Sequence, residues 1–198
     1  GGEIQKMKRY LLAFLYAISY SAELIIVDQD GAFGDYSTIQ EAIDAASVDD
    51  TVLVHHGNYN ENLIINKQII LTSLAIYDDL EESDWFEYSQ SSKRYEVLNT
   101  NINETIINGY DPDIPDQNSV ILISPTPDAG CIAPQIIGLT IKDGMGTIIV
   151  NDIEGESIEE RVGGGILVNN ALPVINYNHI KDCGCDDDDR SRDEECTN

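Results

Sequence analysis

The sequence predicts an all-β chain wound as a parallel β-helix, a solenoid with one capping α-helix near its start and one long insertion. Three observations point there. First, from Thr51 to Ile180 the 198-residue chain keeps producing brief runs of Ile, Val and Leu that end in Asn, Gly, Asp or Pro. They include Val52-Leu53-Val54, Leu63-Ile64-Ile65, Ile69-Ile70-Leu71, Thr105-Ile106-Ile107, Val120 to Ile123, Ile136-Ile137, Leu139-Thr140-Ile141, Ile148-Ile149-Val150, Ile166-Leu167-Val168, Val174-Ile175 and His179-Ile180. These are too short for helices and rich in β-branched side chains, which suit a pleated, packed surface. Second, almost no helical spacing separates the runs, so the helices that a doubly wound α/β sheet needs are missing. Short strands joined by tight turns fit coils that bury apolar residues against the coils above and below. Third, a single amphipathic helix precedes the runs, where a stack of coils needs a lid.

Residues 1–21 are expected to be a secretory signal peptide. Lys8 and Arg9 form a basic patch after Met7, Tyr10 to Ile18 is apolar, and Ser19-Tyr20-Ser21 has the small-x-small shape of a cleavage site. Met7 is then the initiator and residues 1–6 an upstream extension. The apolar stretch is shorter than the ~20 residues a membrane-spanning helix needs. No transmembrane anchor is therefore expected in the mature chain, whose destination is the cell exterior, the cell surface or the periplasm.

The domain proper, 22–198, opens with a strand from Glu23 to Val27 and a turn-rich loop from Asp28 to Gly34. In the helix that follows, Ser37 and Gln40 have the spacing of a capping box, and Ile39, Ala42, Ile43 and Ala46 share one face. That face is expected to cover the first open rung. Tyr77 to Asn103 breaks the pattern with Asp78, Asp79, Glu81, Glu82, Asp84 and Glu87 together with Trp85, Phe86, Tyr88 and Tyr95. It reads as a long, partly helical excursion, of the kind that leaves a solenoid from its binding face. After Ile180 comes an acidic tail, 182–198, that carries three cysteines. No cap follows the last run, so the domain is expected to be incomplete at its C-terminus or closed by this tail folding back.

The stretch Tyr36-Ser37-Thr38-Ile39-Gln40-Glu41-Ala42-Ile43-Asp44-Ala45-Ala46, then Asp50-Thr51-Val52-Leu53-Val54, then Gly57-Asn58-Tyr59-Asn60-Glu61-Asn62, then Ile64 to Leu71 resembles the N-terminal cap and first coils of the pectin-lyase-like superfamily. Thr105 to Gly109, Ile136 to Gly144, Gly163 to Val168 and Pro173 to Ile180 are similar to later coils of those proteins. The resemblance implies a secreted, right-handed parallel β-helix. It covers the scaffold and names no activity.

The formal net charge is −25. Cleavage after Ser21 takes three basic residues, Lys6, Lys8 and Arg9, and one acidic residue, Glu3, and leaves −27. So acidic a surface repels phosphate backbones, which excludes direct nucleic-acid binding. It is compatible with solubility, and with high-salt or calcium-rich surroundings. The cysteines are Cys131, Cys183, Cys185 and Cys196. Export permits disulfides, and four thiols pair in three ways. Cys183-x-Cys185 also has zinc-ligand spacing, but His179 is its sole nearby imidazole.

Lyases of the resembled superfamily use calcium held by carboxylates and a basic residue that abstracts a proton. The arginines after residue 21 are Arg94, Arg161, Arg190 and Arg192, and none lies on a coil beside spaced aspartates. Methylesterases of the same kind use two aspartates, and nothing here matches their catalytic segments. No catalytic, cofactor-binding or metal-binding residue is therefore assigned. His55 and His56 are neighbours on a strand and should diverge, so they read as a strand-end turn. Asp182 to Glu195 offers the oxygen ligands calcium takes, without the spacing of a defined calcium loop. No cofactor is required, and calcium is the one candidate. Asn176 and Asn178 fit inward roles, bonding main-chain groups of adjoining coils. Trp85, Phe86, Tyr88 and Tyr95 either stack on sugar rings or form the small core that anchors the excursion. The expected function is a non-catalytic binding or structural module for a polysaccharide or cell-surface glycan. The alternative is a polysaccharide lyase or pectin-esterase-like enzyme whose catalytic coils are absent or unrecognised.

Overall fold

A computed structural model describes residues 21–81, 85–109, 117–153 and 156–184. Residues 1–20 of the expected signal peptide and the tail from Cys185 onward lie outside the described residues. Within them the chain is all-β: seventeen strands against two short helices and one 3₁₀ turn.

Twelve strands form three parallel sheets, and β1 (Leu24–Val27) opens the first of them. Sheet A has the order β1, β2 (Thr51–Val54), β5 (Ile70–Ser73), β11 (Gln135–Ile137) and β16 (Val174–Asn176). Sheet B holds β3 (Gly57–Asn60), β8 (Thr105–Asn108), β12 (Thr140–Lys142) and β17 (His179–Lys181). Sheet C holds β4 (Leu63–Ile65), β10 (Ile121–Ile123) and β15 (Ile166–Val168). From β2 onward the chain visits A, then B, then C, three times in that order, and β16 and β17 then return to A and B.

The register explains why the aliphatic runs recur. Val52 pairs with Leu71, Leu71 with Ile136, and Ile136 with Ile175. Tyr59, Ile107, Ile141 and Ile180 form a second column, and Leu63, Ile121 and Ile166 a third. Members up to the third circuit are almost fully buried in one core cluster, except Ile166, which is half-buried against it. In the last circuit among the described residues the same columns surface: Ile175 is 37% and Ile180 46% exposed.

Turns between sheets need a left-handed residue, which accounts for the Asn, Gly and Asp at the ends of runs. Gly138 (φ 69°) and Tyr177 (φ 57°) occupy matching places between sheets A and B, one circuit apart. Asp143 (φ 60°) and Asp182 (φ 53°) do so after sheet B. Glycine is needed for space as well at the next corner, where a Cβ on Gly144 would lie 2.0 Å from the Gly164 carbonyl oxygen.

Helix α1 (Ile39–Ala45) buries Ile39, Ala42 and Ile43 against β1, β2 and β4, as its periodicity predicts. Its cap differs from the expectation. The N-cap is Thr38, whose side chain makes no capping bond, and Gln40 turns instead to Asp44 and to the main chain of Ile64. The carboxylate of Glu61, on the turn after β3, accepts from the main-chain N–H of Ile39 and of Gln40 at 2.9 Å each. A distant acid thus replaces the local box, because the turn brings a second, charged acceptor to the same positive helix end.

One further expectation is corrected. Ile148-Ile149-Val150 does not join a parallel sheet. It lies in β13 (Gly146–Ile153), which pairs antiparallel with β14 (Glu156–Val162) and, at its base, with β9 (Gln117–Asn118). The chain therefore makes a second excursion, between β12 and β15. The first excursion is partly helical, as expected, and holds a hairpin besides: a 3₁₀ turn (Leu74–Tyr77), β6 (Phe86–Ser89), β7 (Arg94–Val97) and a one-turn helix α2 (Thr100–Glu104).

Candidate functional site

The excursion between β5 and β8 is held against the outside of the sheets by a small core of its own. Ser73 Oγ accepts from the Ala75 N–H at 3.1 Å and donates to the Gly138 carbonyl, which fixes the exit from β5. Ala75, Leu80 and Ile102 are buried together, with Trp85, Val97, Ile137 and Tyr177 packed on them. Ile137 and Tyr177 belong to later circuits, so the excursion runs alongside the stack rather than away from it. Thr140 Oγ1 on β12 donates to the Ile102 carbonyl at 2.8 Å, tying α2 to sheet B. Asn99 caps α2 by accepting from the Ile102 N–H at 3.0 Å.

A polar network closes the other side. The Asp78 carboxylate accepts from Asn99 Nδ2 and Asn101 Nδ2, both at 2.8 Å, and these bonds hold its pKa below the ordinary carboxylate value. Asn101 Oδ1 lies 2.8 Å from His56 Nε2, and Glu104 Oε2 lies 3.2 Å from His56 Nδ1. His56 therefore joins the turn after β2 to the excursion. His55, by contrast, offers its carbonyl to the Tyr59 hydroxyl.

The hairpin β6–β7 is amphipathic. Tyr88 opposes Tyr95 and Phe86 opposes Val97, so these four share one face, while Glu87, Ser89, Arg94 and Glu96 share the other. Phe86 meets Tyr95, and Tyr95 meets Tyr88, with ring centres 5.2 Å apart in both pairs and planes inclined by 76° and 67°. Trp85 meets Phe86 at 4.6 Å and Tyr177 at 6.0 Å. The row thus runs from an anchored end, Tyr177 and Trp85, to a free end, where Tyr95 is 63% and Tyr88 42% exposed. Of these aromatics Trp85 packs on the small core, together with Val97, whereas Phe86, Tyr88 and Tyr95 are exposed. Tyr177, which the sequence reading left out, completes the anchor. Its only signal was its place in a turn opposite an insertion rich in aromatics.

The other candidates are dispersed. Among the described residues no group of three or more His, Cys, Asp or Glu side chains is placed to hold a metal. Arg94 is exposed on β7, and Arg161 on β14 donates to the Gly146 carbonyl. Arg190, Arg192 and the carboxylates from Asp186 to Glu195 lie outside the described residues, as do Cys185 and Cys196. Cys131 and Cys183 are free thiols, and burial raises the pKa of Cys183 above that of an ordinary thiol. Asn178 acts as expected: its Oδ1 accepts from the Leu139 N–H at 3.0 Å and its Nδ2 donates to the Ile136 carbonyl at 2.8 Å, one circuit below. Asn176 is exposed and contributes its main-chain carbonyl to Gly138 and Asn178. His179, half-buried on β17, has its pKa lowered by burial and by the neighbouring Lys181. An open basin of about 510 Å³ beside Pro125, Cys131 and Leu172 has no ionised group among its lining residues.

No helix among the described residues is long and apolar enough to cross a membrane. In comparisons with known proteins, no family model and no curated sequence matches the chain.

Proposed function

We propose that the three parallel sheets are the walls of a right-handed parallel β-helix of the pectin-lyase-like kind, secreted or held at the cell surface. Its task is to bind carbohydrate without turning it over. The visiting order A, B, C, the in-register aliphatic columns and the helix lying over β1, β2 and β4 support the architecture. The observation that carries the function is the outward aromatic face of β6–β7, with Phe86, Tyr88 and Tyr95 exposed on a hairpin that is docked through Trp85 and Ile102.

Sugar rings present apolar C–H faces, and an exposed aromatic ring on a supported strand gives such a face a partner at little entropic cost. Because successive rings here are steeply inclined, they do not form one flat platform. Each exposed ring face engages a separate sugar unit, which favours a twisted or branched polysaccharide over a flat ribbon.

A panel of soluble polysaccharides tests the reading. Retarded migration of the chain in gels that contain the ligand is expected for at least one member, with no unsaturated product and no released methanol. Turnover of any member rejects the non-catalytic reading in favour of a lyase or an esterase.

A further inference from the structure

One segment of the excursion carries a chemistry that neither the packing nor the aromatic face uses. Asn103-Glu104-Thr105 is an Asn-x-Thr triplet, the acceptor pattern for N-linked glycosylation. It spans the junction between α2 and β8, which puts its first and last residues in opposite surroundings.

Asn103 is exposed in the last turn of α2, and its main-chain N–H alone is engaged, donating to the Asn99 carbonyl at 3.0 Å. Thr105 opens β8 opposite Gly57 and is fully buried. Its Oγ1 has no hydrogen-bond partner, although it is cut off from solvent. A hydroxyl in that position lowers stability, and a methyl group of the same size, as in Val, would fill the space without the desolvation cost. The folded chain thus spends stability on a hydroxyl it does not use.

We propose that Asn103 is an N-glycosylation site and that the Thr105 hydroxyl serves recognition of the still unfolded chain. In the transfer, Asn103 Nδ2 bonds to the anomeric carbon of the reducing-end sugar of a lipid-diphosphate-linked oligosaccharide. The bond from that carbon to the phosphate oxygen breaks, the electron pair leaves with the lipid diphosphate, and the amide gives up one proton. Nothing is oxidised or reduced. After folding, Thr105 is buried at the start of β8, beside β3, while Asn103 stays exposed to solvent, where a bulky sugar chain is tolerated. The inference rests on the export reading, since the donor and its transferase act on chains that have entered a secretory compartment.

The test is the intact mass of the full 198-residue chain made through the secretory route of N-glycosylating cells, before and after an amidase that releases N-linked sugar. The expected result is a sugar-sized mass lost on treatment, with Asp found at position 103 in the released peptide. Asn103→Gln and Thr105→Val are expected to abolish the increment, and Thr105→Ser to retain it. Thr105→Val should also unfold at a temperature equal to or above that of the unmodified wild-type chain, which separates loss of sugar from loss of fold. Secreted chain with its leader removed and Asn103 unmodified overturns the proposal and leaves export standing. Chain kept inside the cell with its leader intact overturns both.

Discussion

Glu61 does the capping that Ser37 and Gln40 have the spacing to do. The difference lies in charge and reach, for a carboxylate that meets two main-chain N–H groups at a helix start outbids a neutral side chain three residues away. The same carboxyl is partly buried, and burial raises its pKa above the ordinary 4.5, against the pull of those two N–H groups. A raised folded pKa means that the folded chain holds its proton at a pH where the unfolded chain has released it. The resulting stability is fully present below the unfolded value and lost as pH rises through the folded one. Glu61→Gln cannot ionise and lacks this component. Thermal unfolding of both proteins, from below pH 4.5 to neutrality, should show the wild type losing ground to the variant as pH rises, and parallel profiles would refute the assignment. The role of Glu61 was not legible in the sequence, because its partners lie more than twenty residues away.

At the scale of elements, the excursion shows where pattern reading stops. Its aromatics and acids mark it as a departure from the runs, and its place between Leu71 and Thr105 follows from that alone. Its form does not: alternation in Phe86-Glu87-Tyr88 and Tyr95-Glu96-Val97 spans too few residues to stand out against a long polar segment. Ile148-Ile149-Val150 fails for a different reason. β-Branched side chains favour strands of either direction, so composition cannot separate a parallel rung from an antiparallel hairpin. The docking core makes a sharp prediction. Ile102→Ala opens a cavity under α2 and should cost about 2–5 kcal/mol in urea unfolding, whereas Tyr95→Ala, on the exposed end of the row, should stay within about 0.5 kcal/mol of wild type. Equal costs would mean that the aromatic face is buried core rather than a surface kept for a ligand.

For the whole molecule, the columns set a gradient. Leu71 has in-register neighbours on both sides and is fully buried, while Ile180 has one such neighbour among the described residues and is nearly half exposed. Leu71→Ala should therefore cost about 2–5 kcal/mol and Ile180→Ala about 1 kcal/mol or less, measured from denaturant midpoints at equal slope. A stack whose ends and middle respond alike would not be built from repeating circuits. This level was the most legible in sequence, since a column needs only the same kind of residue at each return of the chain, and the runs supply it.

The proposal that the outward aromatic face binds carbohydrate is tested most directly by calorimetric titration of the polysaccharide that most retards the chain, into wild type and into a Tyr88→Ala, Tyr95→Ala double variant. Loss of two stacking contacts predicts binding weakened at least about tenfold, a change of about 1.4 kcal/mol, with the thermal midpoint unchanged. Undiminished affinity in the double variant would contradict it, as would a wild-type chain that binds no member of the panel.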